Sequence, residues 1–263
     1  MAKGLDTVLN LYKRKSETPL QTIERYVAAH PEYKSVKMTY AGRLDPMAEG
    51  VLVVLAGEKN KEREAYTGLD KDYEFEFILG VETDTFDALG KIMGAHASAS
   101  ATEQNVAETL SEYKGTFQQT YPAYSSKVVD GKQLFQYARE GKLSTIELPE
   151  HEVEVSRIEL LGVASVSRDA FKKGIFDPIS ALKGDFRQDI ILEGWEDYLD
   201  SSAAPEEFKV YKARVTCGSG FYVRQLVSDI GRDLGTGAVT VSILRTRVGD
   251  FKLVDSISKN PKV

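Results

Sequence analysis

Apolar and polar residues alternate along two stretches of the chain, with the period of two that turns one strand face to a core and the other to water. In the first, Tyr73, Phe75, Phe77 and Leu79 alternate with Asp72, Glu74 and Glu76. In the second, Tyr211, Ala213, Val215 and Cys217 alternate with Lys212, Arg214 and Thr216. Both stretches predict half-buried strands. Elsewhere the spacing is helical. Thr18-Pro19-Leu20-Gln21 is a capping box with proline at the first helical position, predicting a helix whose apolar face holds Ile23, Tyr26 and Val27. Further helices are expected from Thr102 to about Tyr113 and from Leu134 to Arg139, with Gly115 and Gly141 just past their ends. A fourth follows Gly220, with Leu226, Val227, Ile230 and Leu234 at helical spacing and Gly235 beyond it. Strand-rich blocks with interspersed helices and no regular βαβ alternation predict an α+β protein around a mixed, mostly antiparallel sheet.

No internal repeat or long linker interrupts this pattern. His96 to Thr102 reads as a surface loop entering a helix. Residues from about 165 to 208 read as an insertion of mixed periodicity, with Ser201-Ser202-Ala203-Ala204-Pro205 as its expected flexible segment. At 263 residues, 42% hydrophobic and 28% charged, the chain is too apolar for disorder. A compact chain of this size buries roughly 70–75% of its unfolded surface. No apolar run approaches the ~18–20 residues of a membrane span, and the first residues lack the apolar centre of a signal peptide. A single cysteine, Cys217, excludes an intramolecular disulfide and a CxxC knuckle. His30, His96 and His151 lie far apart without an HExxH, so a zinc enzyme is not expected. These features describe a cytoplasmic protein without membrane attachment, read as a single domain over 1–263.

The formal net charge of −6 weighs against nucleic acid until its distribution is considered. Glu193 to Glu207 holds six acids and no base; removing those six from 40 leaves 34 acidic against 34 basic residues. Bases cluster elsewhere, at Lys13-Arg14-Lys15, Lys59/Lys61/Arg63, Lys172-Lys173 and Arg245 with Arg247. Taken singly, each cluster reads most simply as a solvated face. Binding of nucleic acid is permitted by this distribution, not demanded.

Four segments carry unusual combinations. In Tyr40-Ala-Gly-Arg-Leu-Asp-Pro-Met-Ala-Glu-Gly50, Asp45 before Pro46 reads equally as a helix N-cap or as a rigidly held carboxylate available as nucleophile or base. Lys71-Asp-Tyr73 leads to a turn with Glu82, Asp84 and Asp87; no DxD or histidine completes a metal cage there. Tyr121-Pro-Ala-Tyr-Ser-Ser-Lys-Val-Val-Asp-Gly131 suggests a loop before a helix. Cys217-Gly-Ser-Gly-Phe-Tyr222-Val-Arg224 is a glycine turn between a strand and a helix, open to a phosphate but without the third glycine of a dinucleotide fingerprint.

Together these segments resemble the TruB family of tRNA pseudouridine synthases over most of residues 10 to 251. GRLDPMAEGVL is similar to the family's GxLDPxAxGxL, which sets Asp45 at the catalytic aspartate. Tyr73, 28 positions later, matches the active-site tyrosine, and the TDTxD-like segment brings Asp87 beside it. GSGFYVRQL resembles KGTYIRxL, carrying Tyr222 and Arg224, and ILRTRVG resembles the C-terminal LRRTRVG, which sets Ile243 at a pocket-lining leucine. The resemblance implies the pseudouridine synthase fold and isomerisation of uridine in RNA, most directly the T-loop uridine of tRNA. It implies no cofactor and no metal. In that chemistry Asp45 acts on the ribose, Arg224 pairs with and orients it, Tyr73 stacks on the uracil, Asp87 hydrogen-bonds the uracil edge, and Tyr222 and Ile243 wall the pocket. The family's histidine is Tyr40 here, which keeps a stacking face but no imidazole. The YKPxGxTS opening becomes Tyr12-Lys-Arg-Lys-Ser-Glu-Thr18, YSAxK becomes Tyr124-Ser-Ser-Lys127, and Leu244 replaces an arginine. The chain ends about a dozen residues after Gly249, so the C-terminal PUA domain of many relatives is expected to be absent or a remnant. The expected partner is the T arm of tRNA, met by a monomer without guide RNA. The alternatives are a synthase for another RNA uridine and a non-catalytic RNA-binding or tRNA-folding chaperone.

Overall fold

The computed structural model describes residues 5–96 and 101–257. The first half of the chain forms β1 (Thr7–Lys13), α1 (Pro19–Ala29), β2 (Met38–Ala41), β3 (Ala48–Ala56), α2 (Arg63–Thr67), β4 (Lys71–Leu79), β5 (Val81–Thr83), β6 (Ile92–Ala95) and α3 (Glu103–Glu112). There follow β7 (Gly115–Thr120), β8 (Val128–Val129), β9 (Lys132–Gln133), α4 (Leu134–Arg139), β10 (Glu150–Ser167), α5 (Arg168–Ala181), α6 (Gln188–Asp200), β11 (Glu207–Cys217), α7 (Val223–Asp233), β12 (Ala238–Val248) and β13 (Phe251–Lys252). One nine-stranded sheet runs β1-β3-β12-β4-β11-β10-β7, with β2 also beside β3 and β13 beside β12. Its ladders are antiparallel except for β3 with β12, which is parallel. This is the α+β, mostly antiparallel architecture that the alternating stretches predict.

The two faces of the sheet are covered differently. On one, Phe75, Phe77, Ala213, Val215 and Ile243 pack beneath Leu226, Val227 and Ile230 of α7 and Val106 and Leu110 of α3. On the other, Asp72 and Glu74 face water along the first part of β4, where Glu74 bridges Arg214 (2.8 Å) and Lys212 (3.0 Å) across the strands. Further along that face the pattern turns apolar. Ile78, Val239, Phe208 and Val210 are covered there by Phe171 and Ile175 of α5 and Trp195 and Leu199 of α6. Trp195 is fully buried, and its replacement by Ala would cost about 3–5 kcal/mol through lost contact and the cavity left behind. The α5–α6 hairpin therefore completes the second core.

Local signals account for the helix ends. Thr18 Oγ1 accepts from the Gln21 amide (3.2 Å) while Gln21 Oε1 accepts from the Thr18 amide (2.7 Å), starting α1 with Ile23 and Tyr26 buried. Thr102 caps α3 in the same way; residues 97–100 of the expected loop before it lie outside the described residues. Ser201 to Pro205, expected to be flexible, is tied to the hairpin instead. Ala204 is buried, and the Arg168 guanidinium donates to the carbonyls of Ala204 (2.8 Å) and Pro205 (3.2 Å).

Two readings are corrected. Asp45-Pro46 caps no helix: the Ala48 amide donates to the Asp45 carbonyl (3.1 Å), closing a turn directly into β3. The run from Val51 to Ala56 is fully buried, and β3 pairs with β1 on one edge and with β12 and then β2 on the other, so strand pairing overrides the local capping preference. Nor are all the basic clusters solvated, because Lys13 and Arg245 have no exposed surface.

Candidate active site

Asp45 stands on the floor of a cleft of about 870 Å³ that the turn before β3, the start of α7 and the loop between α5 and α6 enclose. Arg224, in the first turn of α7 and only 3% exposed, donates from Nε to Asp45 Oδ2 at 2.7 Å. Its Nη1 donates to the Thr85 carbonyl (2.6 Å) and its Nη2 to the Tyr124 carbonyl (3.3 Å). Asp87 Oδ2 lies 3.7 Å from Nε. Burial alone would lower the guanidinium's pKa; Asp45 and Asp87 outweigh it and raise the value above its ordinary range. Asp87 is buried, and its Oδ1 accepts from Thr85 Oγ1 (2.6 Å) and the Leu89 amide (3.0 Å). Burial pushes the Asp87 carboxyl up from its usual value, against the pull of Arg224 and Thr85.

The turn that carries Asp45 is fixed by two buried basic side chains. Lys13 Nζ donates to the carbonyls of Ala48 (2.5 Å), Arg14 (3.1 Å) and Pro46 (3.3 Å). Burial lowers its pKa to about 7, partly offset by the charges of Asp45 and Glu17. Arg245 donates to the carbonyls of Val51 (2.8 Å), Arg43 (3.2 Å) and Gly42 (3.3 Å). Gly50 lets the strands meet: its φ is +112°, and a Cβ there would sit 2.2 Å from the Arg245 carbonyl oxygen. Lys13 holds the Pro46 carbonyl and Arg245 the Gly42 and Arg43 carbonyls on either side of Asp45, so they stiffen the backbone that aims the carboxylate.

Tyr40, Tyr73, Asp87, Tyr222, Arg224 and Ile243 all line the cleft with Asp45. Tyr73 and Ile243 are buried on adjacent strands, and burial pushes the Tyr73 hydroxyl up to about 12, so it stays protonated near neutrality. Tyr222 is held through its backbone, its amide donating to Gln119 Oε1 (2.8 Å) and its carbonyl accepting from Gln119 Nε2 (3.1 Å). Tyr40 is partly buried, with Arg43 Nη2 at 3.4 Å from its hydroxyl. The lining carries seven Lys or Arg side chains against the carboxylates of Asp45 and Asp87. The cleft is thus locally cationic in a chain of net charge −6, suited to a polyanion.

Several residues in or beneath the cleft escape a reading of the sequence. Lys13 and Arg245 look like surface charges, although each continues an inward face, Lys13 after Leu9 and Leu11 and Arg245 after Ile243. That parity is the available signal. Arg187, at the start of α6, reaches Asp84 across the fold (2.6 Å) and has no local signature. The three acids of the 82–87 turn do not converge: Glu82 meets His96 (2.9 Å), Asp84 meets Arg187 and Asp87 faces Arg224. Among the described residues no group of three or more His, Cys, Asp or Glu side chains could hold a metal ion, and no helix is long and apolar enough to cross a membrane.

Comparison with solved structures defines the fold. The chain matches the structure titled "Crystal Structure of a Cbf5-Nop10-Gar1 Complex" with a TM-score of 0.54 at 20% identity, over 94% of this chain and 50% of that one. It matches "Structure of H/ACA RNP bound to a substrate RNA containing 2'-deoxyuridine" with a TM-score of 0.50 at 20% identity, over 93% of this chain and 48% of that one. The chain spans about half the length of these proteins and has the pseudouridine synthase fold. Residues 31–172 match the family described as TruB family pseudouridylate synthase (N terminal domain). The chain is 31% identical to tRNA pseudouridine synthase B of Bacteroides thetaiotaomicron over 224 residues, covering 85% of this chain and 76% of that protein. It is also 31% identical to tRNA pseudouridine synthase B of Heliobacterium modesticaldum over 254 residues, covering 97% of this chain and 68% of that protein. The chain belongs to the TruB family.

Proposed function

We propose that this protein isomerises uridine to pseudouridine in tRNA, at the T-loop uridine, as a monomer that needs neither guide RNA nor cofactor. The observation that carries the reading is the Asp45–Arg224 pair on the floor of a cationic cleft walled by tyrosines. The names of its TruB relatives support the substrate. A stacked uridine cannot reach such a floor, so the nucleotide is flipped out, at a cost of a few kcal/mol. The exposed cleft cations Arg43, Arg63 and Arg139 take up phosphates, and Tyr40 and Tyr73 offer aromatic faces to bases.

In the reaction the bond between uracil N1 and ribose C1′ breaks, the base rotates, and C5 bonds to C1′. The proton leaves C5 and N1 gains one, so the product is an isomer and no electrons are transferred. Asp45 serves either as the nucleophile at C1′ or as the base that forms a glycal-type intermediate. Arg224 orients the carboxylate on both routes, and Tyr73, protonated near neutrality, stacks on the ring while its hydroxyl donates. Tyr222, Ile243 and Asp87 complete the pocket, with Asp87 acting on the uracil edge or through Arg224.

The test is carbodiimide mapping of unmodified tRNA incubated with the purified protein alone. A single stop at the T-loop uridine is expected. Stops elsewhere would support a synthase for another uridine, and tRNA binding without any stop would support a chaperone.

A further inference from the structure

The α5–α6 hairpin touches the carboxylate network at two points. From behind, Trp195 Nε1 donates to the Ala88 carbonyl (2.9 Å), one residue from Asp87. Met47, Ala88 and Leu89, neighbours in sequence of Asp45 and Asp87, share its apolar cluster. From the cleft side, the loop between the helices presents Arg187 in a left-handed backbone conformation (φ +65°). Gln188 braces this loop, its Nε2 donating to the Gly184 carbonyl (2.8 Å) and its Oε1 accepting from the Phe186 amide (2.9 Å). Arg139 Nη2 adds a bond to the Asp185 carbonyl (2.8 Å). A residue held in that conformation by side chains on both sides is fixed in direction.

Arg187 then grips two side chains at once. Nη1 lies 2.6 Å from Asp84 Oδ2 and 2.7 Å from the Tyr124 hydroxyl, and Nη2 lies 3.3 Å from Asp84 Oδ1. The Tyr124 hydroxyl in turn donates to Asp84 Oδ2 (3.1 Å). The backbones of the same two segments hold Arg224, through the carbonyls of Thr85, next to Asp84, and of Tyr124. We propose that Arg187 is a positioning residue for the isomerisation: by locking Asp84 to Tyr124 it fixes the two carbonyls that aim Arg224 at Asp45. The inference rests on the functional reading above. Direct contact with RNA fits less well, since both Nη atoms already have protein acceptors and the side chain is only 20% exposed.

Arg187→Gln and Arg187→Lys, made in the full chain, test this by single-turnover pseudouridine formation and tRNA affinity, measured separately. Misplacement of the pair should slow the saturated rate of the Gln variant by about tenfold to a hundredfold, with tRNA affinity within about threefold. Lys, which keeps the charge but not the fork, should recover part of the rate. Asp84→Asn should slow the reaction to a similar degree, and combining it with Arg187→Gln should add little, the signature of two residues acting as one unit. A normal saturated rate in a folded Arg187→Gln variant overturns the proposal. So does a loss confined to affinity, which would make Arg187 an RNA contact. An inactive wild-type protein would instead overturn the functional reading itself.

Discussion

Arg224 neutralises an acid of the cleft and Arg187 an acid beside it, yet they are carried by elements that cover opposite faces of the sheet. Arg224 rises from the first turn of α7, is almost wholly buried and meets Asp45 through Nε. Arg187 stands at the tip of the α5–α6 hairpin, is 20% exposed and meets both oxygens of Asp84. One touches the carboxylate proposed to react; the other touches only what holds the first. Contact order in this chain of bonds, rather than burial or charge alone, sets how much each should matter to the chemistry.

The difference is open to test. Arg224→Lys keeps a cation but cannot reach Asp45, Thr85 and Tyr124 together, so the single-turnover rate should fall by about a thousandfold. A loss smaller than that of Arg187→Gln would invert the order proposed here. Next comes Tyr40, which faces the same cleft. Tyr40→Phe should be nearly neutral and Tyr40→Ala should lose about 1–3 kcal/mol of stacking, read as rate in steady-state assays; equal rates would remove the stacking role. Smallest is an effect far from the chemistry, on the polar side of the sheet. Burial opposes the Asp72 carboxylate, but the two-pronged Arg247 contact (2.7 and 2.8 Å) holds its pKa below the ordinary range, and Arg214 and Lys212 do the same for Glu74. Such depressed pKa values add stability above the unfolded value of about 4, which is lost as pH falls through the folded values. The melting temperature should therefore decline below about pH 4, and Asp72→Asn should flatten that decline. An unchanged slope would show that the Arg247 contact contributes nothing.

The same two arginines mark what a sequence can and cannot disclose. Arg224 sits four residues after Gly220 of a glycine turn, between a clean strand alternation and a helical repeat, so local pattern and motif find it together. The alternation of Tyr73 to Leu79 likewise gives β4 and its buried face. Asp45 is ambiguous in sequence because the Asp-Pro signature fits a helix cap as well as a rigidly held carboxylate; only the pairing of β3 rules out the cap. Lys13 and Arg245 were legible in parity but hidden by their charge, since a buried cation with carbonyl partners looks like any other in one dimension. Arg187 could not be found locally. Its partners Asp84 and Tyr124 lie 103 and 63 residues away, and mixed periodicity conceals the two helices that carry it there.

The central claim is that Asp45 performs the chemistry and the rest of the cleft holds it in place. Its most direct test is Asp45→Asn, with pseudouridine formation and tRNA affinity measured on the same preparation under single-turnover conditions. The account predicts no detectable pseudouridine with affinity within a few-fold of the wild type, because amide and carboxylate are nearly the same size and only the charge and nucleophilicity are lost. Near-normal pseudouridine formation by this variant would contradict it.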